Sequence, residues 1–153
     1  PKAEELARKY ALAPYTMFIG SGALWGETIL YSMCILEEMQ WKRTRSITSH
    51  DFFHGTLELL EPGVPVFLFK GEDECRALDN RVEAFLRSGK TGDEDYLIID
   101  TAEYAVSGLD DEFRPLVSPM IAAATLHERL SKHYERITKH NLAYRRYYRQ
   151  FAY

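Results

Sequence analysis

Short apolar runs separated by helix-like segments are the feature that most constrains how this chain folds. Three of the runs, YTMFI, VPVFLFK and YLIID, are almost continuously apolar, and a fourth, RTRSITS, is short and rich in β-branched residues. Continuous rather than alternating apolar residues are typical of strands that are covered on both faces. The pattern therefore predicts an α/β domain, a three-layer, doubly wound parallel sheet of four to five strands, with a weak fifth strand around residues 104–106.

The segments between the runs supply the predicted helices. The longest of them, ALWGETILYSMCILEEMQ, is apolar on most faces and is expected to be a buried helix. The others are a lead-in helix over 3–12, a short helix over HDFFHGTLELL, an amphipathic helix over 73–88 and a long helical region over 115–136.

Size and charge exclude several classes of protein. The 153 residues suffice for one domain with a real core and are too few for two ordinary domains. The formal net charge of −4 argues against a general nucleic-acid binder. The charge is uneven, because residues 129–149 form a basic, tyrosine-rich tail, which is most often a solvated or docking segment.

The cysteines and the start of the chain predict a cytoplasmic protein. Cys34 and Cys75 both fall on the apolar side of predicted helices, which is typical of small buried residues in a reducing compartment. No apolar run has membrane-spanning length, and the charged start PKAEELARKYALAPY has no secretory pattern. Because the chain has no initiator methionine, we interpret it as a processed product or a piece of a longer chain.

Ligands of doubly wound domains bind at the carboxyl ends of the strands, which draws attention to the turn Gly20-Ser21-Gly22. The glycines of GSGALWG miss the spacing of a dinucleotide fingerprint, and no acidic residue closes the second strand to bind a ribose. A tight strand-to-helix turn is therefore favoured over nicotinamide binding. The helix that follows could still face an anionic or hydroxylated ligand, and Ser21 is a candidate for substrate binding.

His50 and His54 have the i, i+4 spacing that can bind a metal ion, with Asp51 between them. The sequence offers no clear third ligand, so no metal site is predicted. The run Ser49-His50-Asp51 is not a catalytic triad, because adjacent residues do not converge on one point.

Glu38 is the strongest candidate for an acid or base. Three- and four-residue steps place it on one helix face with Glu27, Tyr31 and Cys34. If this face is buried, desolvation would raise the pKa of Glu38 toward the range that is useful for proton transfer. The alternatives are that Glu38 is a solvated residue of the last helical turn and that His54 is a half-buried structural histidine.

The stretches FIGSGALWGETILYSMCILEEMQW and SITSHDFFHG resemble the second sugar isomerase (SIS) domain of the phosphosugar isomerases, whose fold is flavodoxin-like. The resemblance is greatest to the fructosamine-6-phosphate deglycases, and EEMQW, FFHG and RRYY are its most specific motifs. It implies that Glu38 and His54, sixteen residues apart, are the catalytic residues. It also implies a cofactor-free enzyme that converts a fructosyl amino acid 6-phosphate to glucose 6-phosphate and an amino acid.

Two departures from the family refine this interpretation. The Ser/Thr-rich phosphate loop of the first SIS domain is missing, and Ser46, Thr48 and Ser49 are a poor substitute, so the chain resembles the C-terminal half alone and is expected to be inactive by itself. The tail of the related glucosamine-6-phosphate synthases has a catalytic lysine where this chain has Tyr144. This difference favours a deglycase, with Tyr144 and Arg145 as candidate substrate-binding residues.

Two other functions remain open, an amino-sugar phosphate isomerase and a non-catalytic regulatory domain that binds a sugar phosphate. The sequence does not determine which amino acid the substrate carries.

The predicted topology separates the two candidate catalytic residues. The helix that ends near Glu38 runs to the lower edge of the sheet, where the parallel strands begin. The next strand runs back to the opposite edge, at the carboxyl ends of the strands, where His54 lies. Both can therefore serve one substrate only across an isologous interface, which predicts a homodimer with composite sites. The predicted organisation is a lead-in helix over 1–13, a SIS domain over 14–137 and a tail over 138–153, with a preceding SIS domain as partner.

Overall fold

The computed structural model describes residues 2–90 and 95–152 of the chain. Four parallel strands form one sheet in the order β2-β1-β3-β4. The strands are β1 (Tyr15–Ile19), β2 (Arg43–Ile47), β3 (Val66–Lys70) and β4 (Tyr96–Asp100). The predicted doubly wound parallel sheet is confirmed, with four strands.

Five α-helices accompany the sheet within the described residues, and two of them continue as π-helical segments. The helices are α1 (Lys2–Tyr10), α2 (Trp25–Ile29), α3 (Arg76–Arg87), α4 (Arg114–Thr125) and α5 (Ser131–Thr138). The π-helical segments are Leu30–Met39, which extends α2, and Leu126–Leu130, which joins α4 to α5. None of the described helices is long and apolar enough to cross a membrane.

The sheet separates two apolar cores, as the continuous apolar runs predict. Alternate strand residues point to opposite faces, so Phe18 and Phe67 enter one core while Met17 and Leu68 enter the other. The first core lies under α1, the extended α2 and the α4–α5 region. The second core lies under α3 and the turns that follow β2. Each strand is thereby covered on both faces over much of its length.

Two short 3-10 turns replace the helix that was expected after β2. They span Asp51–His54 and Thr56–Leu59 and meet at Gly55, whose φ of 148° no ordinary helix contains. The weak fifth strand is also absent from the structure, because the chain turns away from the sheet after β4. There Asp100 accepts a hydrogen bond from the backbone N–H of Ala102 and begins a 3-10 turn instead.

The lead-in helix packs into the domain rather than beside it. Ala7 and Tyr10 are fully or almost fully buried, and the Tyr10 ring packs edge-on against Phe67 with ring centroids 5.8 Å apart. At the other end of the chain, α5 stops at Thr138 and Lys139 takes a left-handed backbone conformation. Cys34 and Cys75 are only partly buried, less than the sequence pattern suggested.

Candidate active site

Glu38 lines a cleft of about 490 Å³ at the lower edge of the sheet, which we call the Glu38 cleft. The end of the Leu30–Met39 segment forms one wall, the start of β2 forms the second, and the C-terminal tail forms the third. Its lining residues are Glu37, Glu38, Trp41, Lys42, Arg43, Arg145, Arg146, Tyr147 and Tyr148.

The tail is held against this cleft by an ion pair. The Arg145 Nε atom donates a hydrogen bond to Glu38 Oε1 at 3.0 Å, and about a third of the Glu38 side chain remains exposed. The Arg145 Nη1 atom also donates to the backbone carbonyls of Leu142 and Tyr144. Arg145 thus fixes the turn of the tail and contacts one carboxylate oxygen of Glu38. Tyr144, by contrast, is 56% exposed and points its ring at His140.

Trp41 forms an aromatic platform on the same side of the cleft. Its φ of 55° is unusual for a residue with a side chain. The His140 ring packs edge-on against it at a centroid distance of 4.4 Å, and the Arg146 guanidinium lies 4.0 Å from the indole centroid. The strained backbone conformation therefore directs the indole toward the tail. Trp41 lines the same cleft as Glu38, a candidate catalytic carboxylate.

His54 lines a different cleft, of about 560 Å³, at the other end of β2, which we call the His54 cleft. The side chain is exposed, and its ring lies 5.6 Å from that of His50. The His50 Nε2 atom is 3.8 Å from the Asp51 carboxylate. Within residues 2–90 and 95–152, no three potential metal ligands lie close enough together to hold an ion.

Strand β2 separates Glu38 from His54. The five residues of β2 span about 13 Å at 3.3 Å per residue, with Glu38 before the strand and His54 after it. Among the described residues, none lines both clefts. One copy of the chain therefore does not bring the two side chains to one small substrate.

Ser21 belongs to a buried network at the carboxyl edge of the sheet. Its hydroxyl oxygen accepts a hydrogen bond from the Ser49 N–H at 2.9 Å, and the Ser49 hydroxyl donates to Asp79 at 2.6 Å. The second Asp79 oxygen accepts from the Gly71 N–H. Burial raises the pKa of Asp79, although these hydrogen bonds oppose the rise. The network ties together the loops after β1, β2 and β3, and Ser21 also lines a shallow cleft there.

Asp73 occupies the place where a domain of this type could bind an anion. One carboxylate oxygen accepts a hydrogen bond from the Ala23 N–H at 2.6 Å, at the start of the helical region after β1. The Asp73 side chain lies so close to Gly22 that a Cβ atom there would collide with it, and Gly22 has a φ of 55°. The partial positive charge at the start of this helical region is therefore already compensated by a carboxylate of the chain itself.

Of the predicted site residues Glu38, His54, Ser21, Tyr144 and Arg145, the structure brings together only Glu38 and Arg145, with the backbone of the neighbouring Tyr144. Sequence reasoning missed the part played in the cleft by Arg43, Trp41 and Arg146. Two of these lie inside EEMQW and RRYY, the motifs that carry the resemblance. Arg43 gave no signal, because an arginine at the start of an edge strand is common.

Curated relatives of this chain are sugar-amine deglycases. The chain is 35% identical over 133 residues to fructosamine deglycase FrlB of Bacillus subtilis, an alignment that covers 87% of this chain and 39% of the relative. It is 32% identical over 113 residues to the fructoselysine 6-phosphate deglycase of Escherichia coli, covering 74% of this chain and 31% of the relative. The chain thus spans well under half the length of these relatives. No protein-family model matches it.

Solved structures support the same relationship. The chain superposes with a TM-score of 0.90 and 28% identity on a candidate phosphosugar isomerase from Bacillus subtilis, over 99% of this chain and 45% of the other. The C-terminal domain of glucosamine-fructose-6-phosphate aminotransferase from Francisella tularensis matches with a TM-score of 0.65 at 16% identity, over 92% of this chain and 40% of the other. The second similarity shows a shared fold alone.

Proposed function

Because the chain is a SIS-fold homologue of the fructosamine deglycases, we propose that it is the C-terminal SIS domain of an enzyme that cleaves a fructosyl amino acid 6-phosphate. The products are glucose 6-phosphate and the free amino acid. The observation that carries the proposal is the half-buried Glu38 carboxylate, which lines an open cleft among arginine and lysine side chains. Such a cleft suits an anionic substrate.

Glu38 acts as the base in this mechanism. With the sugar ring open, Glu38 removes a proton from C1, next to the amine nitrogen, and the C2 carbonyl oxygen takes up a proton to give an enaminol. Glu38 then returns a proton to C2, and the existing C1–nitrogen single bond becomes the double bond of a protonated imine. Water adds to C1, and the carbon–nitrogen bond breaks to release the amine. Arg145 binds only one oxygen of Glu38 and so leaves the other for the substrate.

His54 assists ring opening by moving a proton to or from the ring oxygen. It comes from a second copy of the chain. Strand β2 is an edge strand, and the turns after it leave Arg43 and Arg45 exposed on one face. A two-fold axis near the middle of β2 would exchange its two ends, so that the Glu38 cleft of one copy faces the His54 cleft of the other. The proposed enzyme is therefore a homodimer or a higher oligomer with composite sites.

The phosphate group of the substrate is bound by the preceding domain. Each hydroxyl that could form a phosphate loop here is engaged inside the domain: Ser46 with Ser32, Thr48 with Asp51, and Ser49 with Asp79. The Asp73 carboxylate also occupies the start of the helical region after β1, where it accepts the Ala23 N–H. The relatives are more than twice as long as this chain, which leaves room for a second SIS domain.

The test uses the full-length protein and a panel of fructosyl amino acid 6-phosphates, with released glucose 6-phosphate measured by a coupled dehydrogenase. We expect turnover by the wild type and a loss of at least about 100-fold in kcat for Glu38→Gln and for His54→Ala. Glu5→Gln is the control and should keep wild-type activity, since Glu5 is an exposed carboxylate of α1 that lines neither cleft. Absence of glucose 6-phosphate from every adduct, or full activity of Glu38→Gln, would overturn the proposal.

A further inference from the structure

Two arginines of the Glu38 cleft have no acidic partner among the described residues. Arg43 and Arg146 both line the cleft, and neither forms an ion pair or a hydrogen bond from its guanidinium to any part of the chain that the structure describes. The other two cations of the cleft are already engaged. Arg145 binds Glu38, and Lys42 donates to the backbone carbonyls of Ala11 and Ala13.

Arg146 is held in a fixed position without using its hydrogen bonds. Its guanidinium carbon lies 4.0 Å from the ring centroid of Trp41, which the His140 ring supports from the side. A guanidinium that stacks on an aromatic ring keeps its N–H groups in a plane and available for two parallel bonds to an oxyanion. The backbone of the platform residue is anchored, because the backbone N–H of Trp41 donates to the Glu37 carbonyl at 3.1 Å.

The position of these arginines indicates which oxyanion of the substrate they bind, the carboxylate or the phosphate. Arg146 follows Arg145, which contacts Glu38, and Arg43 begins the strand next to the same cleft. In the proposed reaction Glu38 works at C1 of the sugar. When the sugar is attached to the α-amine of the amino acid, the carbon of the α-carboxylate is three bonds from C1, whereas the phosphorus is seven bonds away at the other end of the sugar. The nearby oxyanion is therefore the carboxylate.

We propose that Arg43 and Arg146, with Trp41 as platform, bind the α-carboxylate of the amino acid that the substrate carries. The proposal rests on the proposed deglycase function and extends it, because it restricts the substrate to adducts with a free carboxylate beside the amine. Simple amines on the same sugar phosphate are poor substrates. Trp41 is a positioning residue that acts through Arg146.

The experiment compares two substrates with the full-length enzyme. The first is the fructosyl amino acid 6-phosphate that the wild type turns over fastest, and the second is the same adduct with its carboxylate converted to a primary amide. We expect kcat/KM of the wild type to fall roughly 10- to 100-fold from acid to amide, mainly through KM. Arg43→Ala and Arg146→Ala should each lower kcat/KM for the acid and leave the value for the amide unchanged. The double variant should treat both substrates alike.

Arg87→Ala is the matched control, because Arg87 also lies over an aromatic ring, that of Tyr96 at 5.9 Å, and lines neither the Glu38 cleft nor the His54 cleft. It should leave both kcat/KM values unchanged. Inhibition by fructose 6-phosphate separates the two oxyanions, because that compound has a phosphate and no carboxylate. If Arg43→Ala and Arg146→Ala weaken this inhibition, the arginines bind phosphate and the carboxylate assignment is wrong.

A wild-type enzyme that processes acid and amide equally also refutes the carboxylate site, while the deglycase function stands. An enzyme that releases glucose 6-phosphate from neither adduct refutes the deglycase function and this proposal with it.

Discussion

The Nε atom of Arg145 lies 3.0 Å from a carboxylate oxygen of Glu38, across 107 residues of chain. This pair brings the C-terminal tail onto the end of the helical segment that precedes β2. The neighbouring Arg146 stacks on Trp41 in the same region, so two successive tail residues are attached to one short stretch of the domain. The tail is therefore a wall of the Glu38 cleft and not a solvated appendage.

Replacing Arg145 by alanine should loosen the tail without unfolding the domain. The Arg145–Glu38 pair is partly exposed, so its loss should cost no more than about 1 kcal/mol of unfolding free energy. Trypsin should then cleave the tail at Lys139, Arg146 or Arg149 severalfold faster, as judged by mass spectrometry over time. Arg8→Ala is the control, since it removes an exposed arginine paired to Glu4 at the opposite end of the chain. Equal cleavage rates in wild type and Arg145→Ala would show that the ion pair does not hold the tail.

Mixed oligomers should recover activity if the sites are composite. Glu38→Gln and His54→Ala subunits of the full-length protein, co-expressed with different affinity tags, form hybrid dimers in which one site has both changes and the other has neither. Random pairing makes half of the dimers hybrid, so the mixture should reach about a quarter of wild-type activity. Tandem affinity purification isolates the hybrid for direct measurement. Hybrids as inactive as either parent would mean that Glu38 and His54 of one subunit serve the same site.

The parallel sheet could be predicted because a strand that is buried on both faces has a continuous apolar sequence, as β1, β3 and β4 do. The turns after β2 could not, because a single glycine, Gly55, breaks a segment whose composition suits a helix. The π-helical winding of Leu30–Met39 was missed as well. The hydroxyls of Ser32, inside this segment, and of Thr28, just before it, donate hydrogen bonds to carbonyls of the preceding turn, and such competition with the backbone depends on packing.

The site was predictable only in part for the same reason. Glu38 and His54 stand out through motifs, but the pairing of Arg145 with Glu38 joins distant segments, and no local pattern encodes it. The position of β2 between the two clefts followed from the topology, because alternating strands and helices determine the direction of each element. Whether Glu38 and His54 are catalytic stays a prediction that the hybrid experiment addresses.

Two helix ends provide a matched pair of stability predictions. Lys139 follows α5 and Gly89 follows α3, and both have a left-handed backbone, with φ values of 55° and 67°. This conformation costs a residue with a side chain about 1 kcal/mol relative to glycine. Lys139→Gly should therefore raise the unfolding free energy by about 0.5–1 kcal/mol, and Gly89→Ala should lower it by about 1 kcal/mol.

Urea unfolding followed by tryptophan fluorescence measures both changes. A Cβ atom at Gly89 meets no other atom within 4 Å, so any loss there reflects the backbone alone. A destabilising effect of Lys139→Gly would mean that the lysine side chain holds the tail in a way that outweighs the strained backbone.

Asp100 should give the domain an acid-sensitive component of stability. Burial disfavours its ionised form, but hydrogen bonds from Arg76, Lys70 and the Ala102 N–H outweigh burial and lower the pKa of Asp100 from 3.8 to about 2. A carboxyl group with a lowered pKa stabilises the folded state above pH 3.8, and this contribution disappears as the pH falls toward 2. The shift corresponds to about 2 kcal/mol.

Asp100→Asn should therefore reduce the unfolding free energy by about that amount at pH 7, and its difference from the wild type should shrink between pH 4 and pH 2. Urea titrations at several pH values measure the difference, with Glu5→Gln on the exposed face of α1 as control. A difference that stays constant down to pH 2 would mean that the Asp100 interactions with Lys70 and Arg76 do not depend on its charge.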